Sequence, residues 1–293
     1  MPRHRTAPLF VALLMLLGFW AEPCLAAIKP VVYFGINLRY SPRTMYLRYQ
    51  PLLDYLTENT PYRFELLISR DYRQALNDLK QGRAMISSLG DGAFVEAILL
   101  YGAVPIVKPL NSEGKPLYRA AIVVPRDSSI LRIEELNKKR FAFGSYHSVS
   151  GNLVPRFMLQ QGGVSIAGLD YQVSLKNHDA VTKAILKGQY DAGAVKDLFA
   201  AKYEQYGLRV LAYSPPLTSV PLVMRPDAPA ALRKSVTAAL LRLDPRNPAH
   251  REIMSQWDEE YRYGFAPASV QDYRDQIRMF LSVPLGCGAR CHR

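Results

Sequence analysis

The pattern of apolar and polar positions alternates between two kinds of segment. Val31 to Asn37, Tyr62 to Ile68, Ala84 to Ser87 and Val104 to Lys108 are short apolar runs that read as buried strands. Helical patterns separate them. Ser41–Pro42 marks a helix start, with Ser as cap and Pro in the first turn, and Leu52, Leu53 and Leu56 give that helix an apolar face. Pro51 predicts a kink or break within it. Asp71 to Lys80 reads as a helix with Leu76 and Leu79 inward, stopped by Gly82, and Phe94 to Tyr101 as another. This alternation predicts a mainly parallel sheet with helical crossovers.

The second half repeats the pattern. Tyr118 to Val124 predicts one strand long enough to cross between two lobes, and Ile133–Leu136 a short helix. Phe141 to Gly144 is a strand, followed by a polar Gly/Ser/His turn and a helix from about Gly151 that Gly162–Gly163 ends. Tyr171 to Leu175, Asp191 to Val195 and Leu208 to Tyr213 read as strands. Between the first two lies a helix on Val181, Ala184, Ile185 and Leu186, capped by Asn177 or Asp179, and Asp197 to Tyr206 supplies the next. The proline-bounded stretch Ser214 to Pro226 predicts a return crossing, with helices expected at Ala228–Leu243, Pro248–Trp257 and Val270–Phe280.

The ends change the picture of where the chain works. Arg3, His4 and Arg5 precede an apolar stretch from Pro8 to Trp20, with small residues at Ala26 and Ala27. That is the plan of an export signal cleaved near Ala26, and it implies a periplasmic location in a host with two membranes. Glu22 and Pro23 before Cys24 do not make a lipobox. Cys287 and Cys291 are a candidate disulfide in an oxidising compartment, and the run CGARCH is one residue longer than a C-x-x-C-H haem attachment. No Cys/His cluster suggests zinc, and no cofactor is called for. The formal charge of +12 favours anionic partners by steering. Nucleic acid is not among them, since the basic residues are scattered and no recognition motif is present.

The candidate chemistry centres on Phe141 to Gln161. Ser148 and Ser150 fall where a helix begins, beside unpaired backbone N–H groups and a partial positive charge. Two hydroxyls there make a cradle for a phosphate-like or carboxylate anion; the plainer reading makes either Ser an N-cap. The turn SLGDGAF does not match the dinucleotide fingerprint, and Asp91 in it reads as an N-cap. Lys196, after a strand, is either an extra cation at the crevice or a solvated surface lysine. Ser148, His178 and Asp179 invite a hydrolase reading, but there is no G-x-S-x-G elbow, and we do not read the chain as an enzyme.

The segments FGINLRYSPRTM with QPLLDYL, SRDYRQALNDLKQG, YRAAIVVPRDSSI, RFAFGSYHSVSGNLVPRFML, NHDAVTKAILKGQYDAGAV and SPPLTSVPLVMRPD together resemble the periplasmic phosphate/phosphite/phosphonate-binding proteins of ABC transporters. The resemblance covers nearly the whole mature chain. It implies an α/β type II periplasmic binding protein fold, two α/β lobes joined by a two-strand hinge that close on a small oxyanion and present it to a transporter permease. It divides the chain into a signal peptide (1–26), a first lobe (28–112 and 218–293) and a second lobe (113–217). A sensing or interaction module that presents the same fold to a membrane signalling partner is the alternative.

The resemblance also implies a ligand set. The tyrosine after the second strand corresponds to Tyr72, that of the crossing strand to Tyr118, the family's Ser-Thr-Ser to Ser148, Val149 and Ser150, and its histidine to His178. Three positions depart: Val149 lacks the middle hydroxyl, and two acids that hold an aminophosphonate's amino group fall at Leu198 and Val220. An ammonium group shut in without acidic partners is costly, so the expected ligand is phosphate, phosphite or a simple phosphonate and not an aminoalkylphosphonate.

Overall fold

The structure, a computed structural model, describes residues 28–282. The export signal, Cys24, Cys287 and Cys291 therefore lie outside the described residues.

The first lobe begins with β1 (Val31–Asn37), α1 (Pro42–Asn59), β2 (Arg63–Ser69), α2 (Tyr72–Lys80), β3 (Ile86–Ser88), α3 (Asp91–Tyr101) and β4 (Val104–Pro109). The chain crosses through β5 (Leu117–Tyr118) into β6 (Ala120–Pro125) and β7 (Arg140–Phe143). There follow a π-helical turn (Val149–Leu153), α4 (Val154–Gln161), β8 (Tyr171–Ser174), α5 (His178–Leu186), β9 (Ala192–Lys196), α6 (Asp197–Glu204) and β10 (Leu208–Tyr213). It returns through β11 (Leu217–Thr218) to β12 (Leu222–Met224), α7 (Ala230–Leu241), α8 (Pro248–Ser255), β13 (Phe265–Pro267) and α9 (Arg274–Ser282).

Two sheets result, in the orders β13-β4-β12-β3-β1-β2 and β10-β6-β9-β7-β8. β1 runs parallel to β2 and β3, but β12 enters antiparallel between β3 and β4, a place no local pattern announces. The predicted single strand Tyr118–Val124 is two. β5 pairs with β11 between the sheets, Arg119 interrupts, and β6 then pairs with β9 and β10. The Arg119 N–H donates to Asp197 Oδ2 at 2.7 Å, which fixes the break.

Pro51 does not break α1, which runs unbroken from Pro42 to Asn59. The carbonyl deprived of its helical donor belongs to Leu47, which is 60% exposed, so the loss falls on the solvent side. The first lobe packs Phe34, Ile36, Leu52, Leu53 and Trp257 in its interior; the second packs Ile122, Phe141, Phe143 and Leu159. Each such side chain contributes on the order of 1.5–3 kcal/mol by burial.

Candidate anion-binding site

The candidate ligand contacts named from the sequence stand at or just beyond the C-terminal ends of strands, where open α/β sheets bind ligands. Tyr72 opens α2, His178 opens α5, Lys196 closes β9, and Ser148 to Ser150 follow β7. Tyr118 lies on the crossing strand β5.

The start of the central helix is irregular for a stated reason. Pro155, in the first turn of α4, has no N–H to give the carbonyl of Gly151. That carbonyl instead accepts from the Gly144 N–H at 2.7 Å, and the preceding turn relaxes to π geometry. Ser148 is the N-cap, its Oγ accepting from the Gly151 N–H at 2.9 Å. Val149 turns inward among Phe141, Phe143 and Leu159, so the missing hydroxyl is a core contact.

Ser150 faces the gap between lobes, and what it meets there was not foreseen. Its N–H and Oγ donate to Asp91 Oδ2 at 3.1 and 2.9 Å, and the Tyr118 hydroxyl donates to the same oxygen at 2.9 Å. Asp91 is therefore not an N-cap: Gly90 holds that place, and Asp91 is the first residue of α3. The glycines on either side allow the approach. A Cβ at Gly90 would overlap the Tyr72 ring, and one at Gly92 would overlap the His147 carbonyl oxygen, which accepts from the Gly92 N–H at 3.0 Å. The Tyr72 ring stacks on His147 with centroids 6.3 Å apart, and burial together with the Asp91 carboxylate pushes its phenol pKa up.

His178 is half-buried against Phe199 (ring centroids 5.1 Å). Burial, reinforced by Lys196 and Arg39, lowers its pKa to about 4, so the imidazole is neutral near pH 7. Its Nδ1 accepts from the Lys196 N–H at 3.4 Å, leaving Nε2–H as the donor.

Lys196 is no surface lysine. It is buried, its Nζ 2.5 Å from Glu260 Oε1 and 4.7 Å from the Tyr118 ring centroid. Burial alone would depress the amine, but the Glu260 and Asp91 carboxylates outweigh it and raise its pKa. Glu260 also pairs with Arg39, which donates to Ser88 Oγ at 2.9 Å. Burial opposes ionisation of Glu260, yet Arg39 and Lys196 hold its pKa down to about 2.

Asp91, Arg39 and Glu260 are thus site residues that sequence reasoning missed. Arg39 lies two residues past the end of β1 and Glu260 stands in an acidic run, but neither position marks its partner. Arg39, Tyr72, Asp91, His178, Lys196 and Glu260 enclose a cavity of about 30 Å³, room for about one or two water molecules. Leu198 and Val220 line it too, as does Asp258. The premise that an ammonium group would find no acid there is therefore corrected, because carboxylates from other elements face the same space. A larger groove of about 620 Å³ opens alongside, sharing Lys196, Leu198 and Glu260 with the small cavity.

Known proteins share this fold. A probable ABC transporter phosphite-binding protein, PhnD1 of Prochlorococcus marinus (strain MIT 9301), is 25% identical over 160 residues, 50% of this chain and 53% of that protein. The aligned part thus spans about half the length of that relative. The solved structure of the same PhnD1 in complex with methylphosphonate superposes with a TM-score of 0.75 at 20% identity, covering 86% of this chain and 97% of that one. A binding protein component of an ABC phosphonate transporter from Pseudomonas aeruginosa gives a TM-score of 0.76 at 18% identity, with 86% of each chain covered. The family model for the phosphonate ABC transporter periplasmic substrate-binding protein matches residues 34–273, and the chain belongs to that family.

Proposed function

We propose that the chain is an extracytoplasmic solute-binding protein that captures a small phospho-oxyanion (phosphate, phosphite or a simple phosphonate) and delivers it to an ABC importer. The observation that carries this reading is the convergence of three donors, Ser150 N–H, Ser150 Oγ–H and Tyr118 O–H, on one anionic oxygen at the start of a helix. Ser148, the Val149 amide, Tyr72 and the neutral His178 would complete the ligand shell. Lys196 supplies positive charge at its edge.

The binding units are 28–112 with 218–293 on one side and 113–217 on the other, with β5 and β11 as the hinge. Their closure on the ligand is the signal a membrane permease reads. The export signal, cleaved near Ala26, delivers the chain to the periplasm. The Asp91, Asp258 and Glu260 carboxylates remove the charge objection to an aminoalkylphosphonate, so 2-aminoethylphosphonate belongs in the test panel.

Calorimetric titration of the mature protein with phosphate, phosphite, methylphosphonate, 2-aminoethylphosphonate and sulfate tests the reading. At least one phospho-oxyanion is expected to bind. No heat and no melting shift with any of them would overturn transport in favour of a module that presents this fold to a membrane signalling partner.

A further inference from the structure

The oxygen that gathers Ser150 and Tyr118 is the chain's own. Asp91 belongs to α3 of the first lobe and Ser150 to the helical turn of the second, so their contact joins the lobes as a ligand would. A backbone bond from Gly92 to His147 ties the same two turns. Asp91 is 6% exposed and Ser150 0%, and the space left beside them, about 30 Å³, is too small for a four-oxygen anion. Ligand and seated carboxylate therefore exclude each other.

Resting on the reading of this seat as the ligand site, we propose that Asp91 is a specificity-determining residue: a tethered carboxylate that occupies the oxyanion seat in the ligand-free protein and must be displaced by whatever binds. A tethered group competes at an effective concentration on the order of millimolar. A free monoanionic carboxylate offers the seat the same chemistry without the tether, so it is rejected. A tetrahedral phospho-oxyanion brings further oxygens that reach Ser148, Tyr72 and His178, and it displaces Asp91. The apparent affinity of every ligand is reduced by the fraction of molecules whose seat is free.

The experiment compares the mature wild-type protein with Asp91→Asn and Asp91→Ser. Titrations with methylphosphonate and with acetate are paired with small-angle scattering of the ligand-free proteins, and thermal melting establishes that each variant is folded. Methylphosphonate is expected to bind both variants about tenfold or more tightly than wild type. Acetate is expected to gain binding only in the variants, and both variants are expected to show a larger ligand-free radius of gyration. Equal or weaker methylphosphonate binding by the variants, beside measurable wild-type binding, overturns the inference and leaves the transport reading standing. If no protein binds any phospho-oxyanion, the transport reading fails and scattering decides: equal radii overturn the tether, larger radii in the variants support it.

Discussion

The Lys196 ammonium lies 2.5 Å from Glu260 Oε1 and joins the end of a second-lobe strand to a first-lobe turn that also holds Arg39. The side chains of Lys196 and Glu260 are 10% and 8% exposed, so neither charge has water to fall back on. Removing one member of a buried pair strands the other. Lys196→Met leaves Glu260 with Arg39 and is expected to cost about 3 kcal/mol. Glu260→Gln strands two cations and is expected to cost more. Denaturant unfolding of both variants and the double variant checks this, the double costing less than the sum of the singles.

His178 predicts a pH limb. Folding depresses its pKa from 6.5 to about 4, so its contribution to stability is complete above pH 6.5 and is lost as pH falls toward 4. Glu260, depressed from 4.5 to about 2, adds a further loss below pH 4.5. The histidine step is on the order of 3 kcal/mol. Melting temperatures of wild type and His178→Asn between pH 7 and pH 4 are expected to separate as pH falls below 6.5, the wild type dropping more steeply and the variant showing the flatter profile.

Gly92 predicts a steric limit on closure. A methyl group there has no room against the His147 carbonyl oxygen, which is backbone and cannot rotate away. Gly92→Ala is expected to lose the Gly92–His147 hydrogen bond, hold the lobes apart and weaken oxyanion binding by about tenfold, equivalent to about 1.4 kcal/mol. Scattering and calorimetry on the variant measure both effects. Unchanged closure and affinity would show that the two turns need not touch.

Ser148 and Ser150 separate capping from ligand contact. Ser148 Oγ caps the turn at Gly151, so Ser148→Ala is expected to cost about 1 kcal/mol of stability. Ser150→Ala removes a donor to the seat and is expected to weaken phospho-oxyanion binding more than it lowers the melting temperature. Thermal melts and titrations of the two variants distinguish the roles.

Much of the architecture is written in local patterns. Val31–Asn37 is a strand because its apolar and β-branched residues fill a buried position between two neighbours, and Asn177 caps α5 because its side chain reaches the Ala180 N–H at 2.9 Å. The gathering of Tyr72, Ser148, Ser150 and His178 at strand ends follows from the same element order. What local pattern does not carry is the choice of distant partners. β12 is a short apolar run whose insertion between β3 and β4 depends on the whole first sheet. Asp91 looked like a cap because a capping acid and a bridging acid have the same neighbours in sequence. Only the fold brings Ser150, 59 residues away, to its carboxylate. Lys196 stood open between a crevice cation and a surface lysine until Glu260, 64 residues on, was placed beside it.

A crystal structure of the mature protein grown with methylphosphonate tests the central claim most directly. The account predicts phosphonate oxygens within hydrogen-bond distance of Ser150 N, Ser150 Oγ and the Tyr118 hydroxyl, with the Asp91 carboxylate withdrawn from all three. Methylphosphonate found only in the larger groove beside Tyr213, with Asp91 still held by Ser150 and Tyr118, would contradict it.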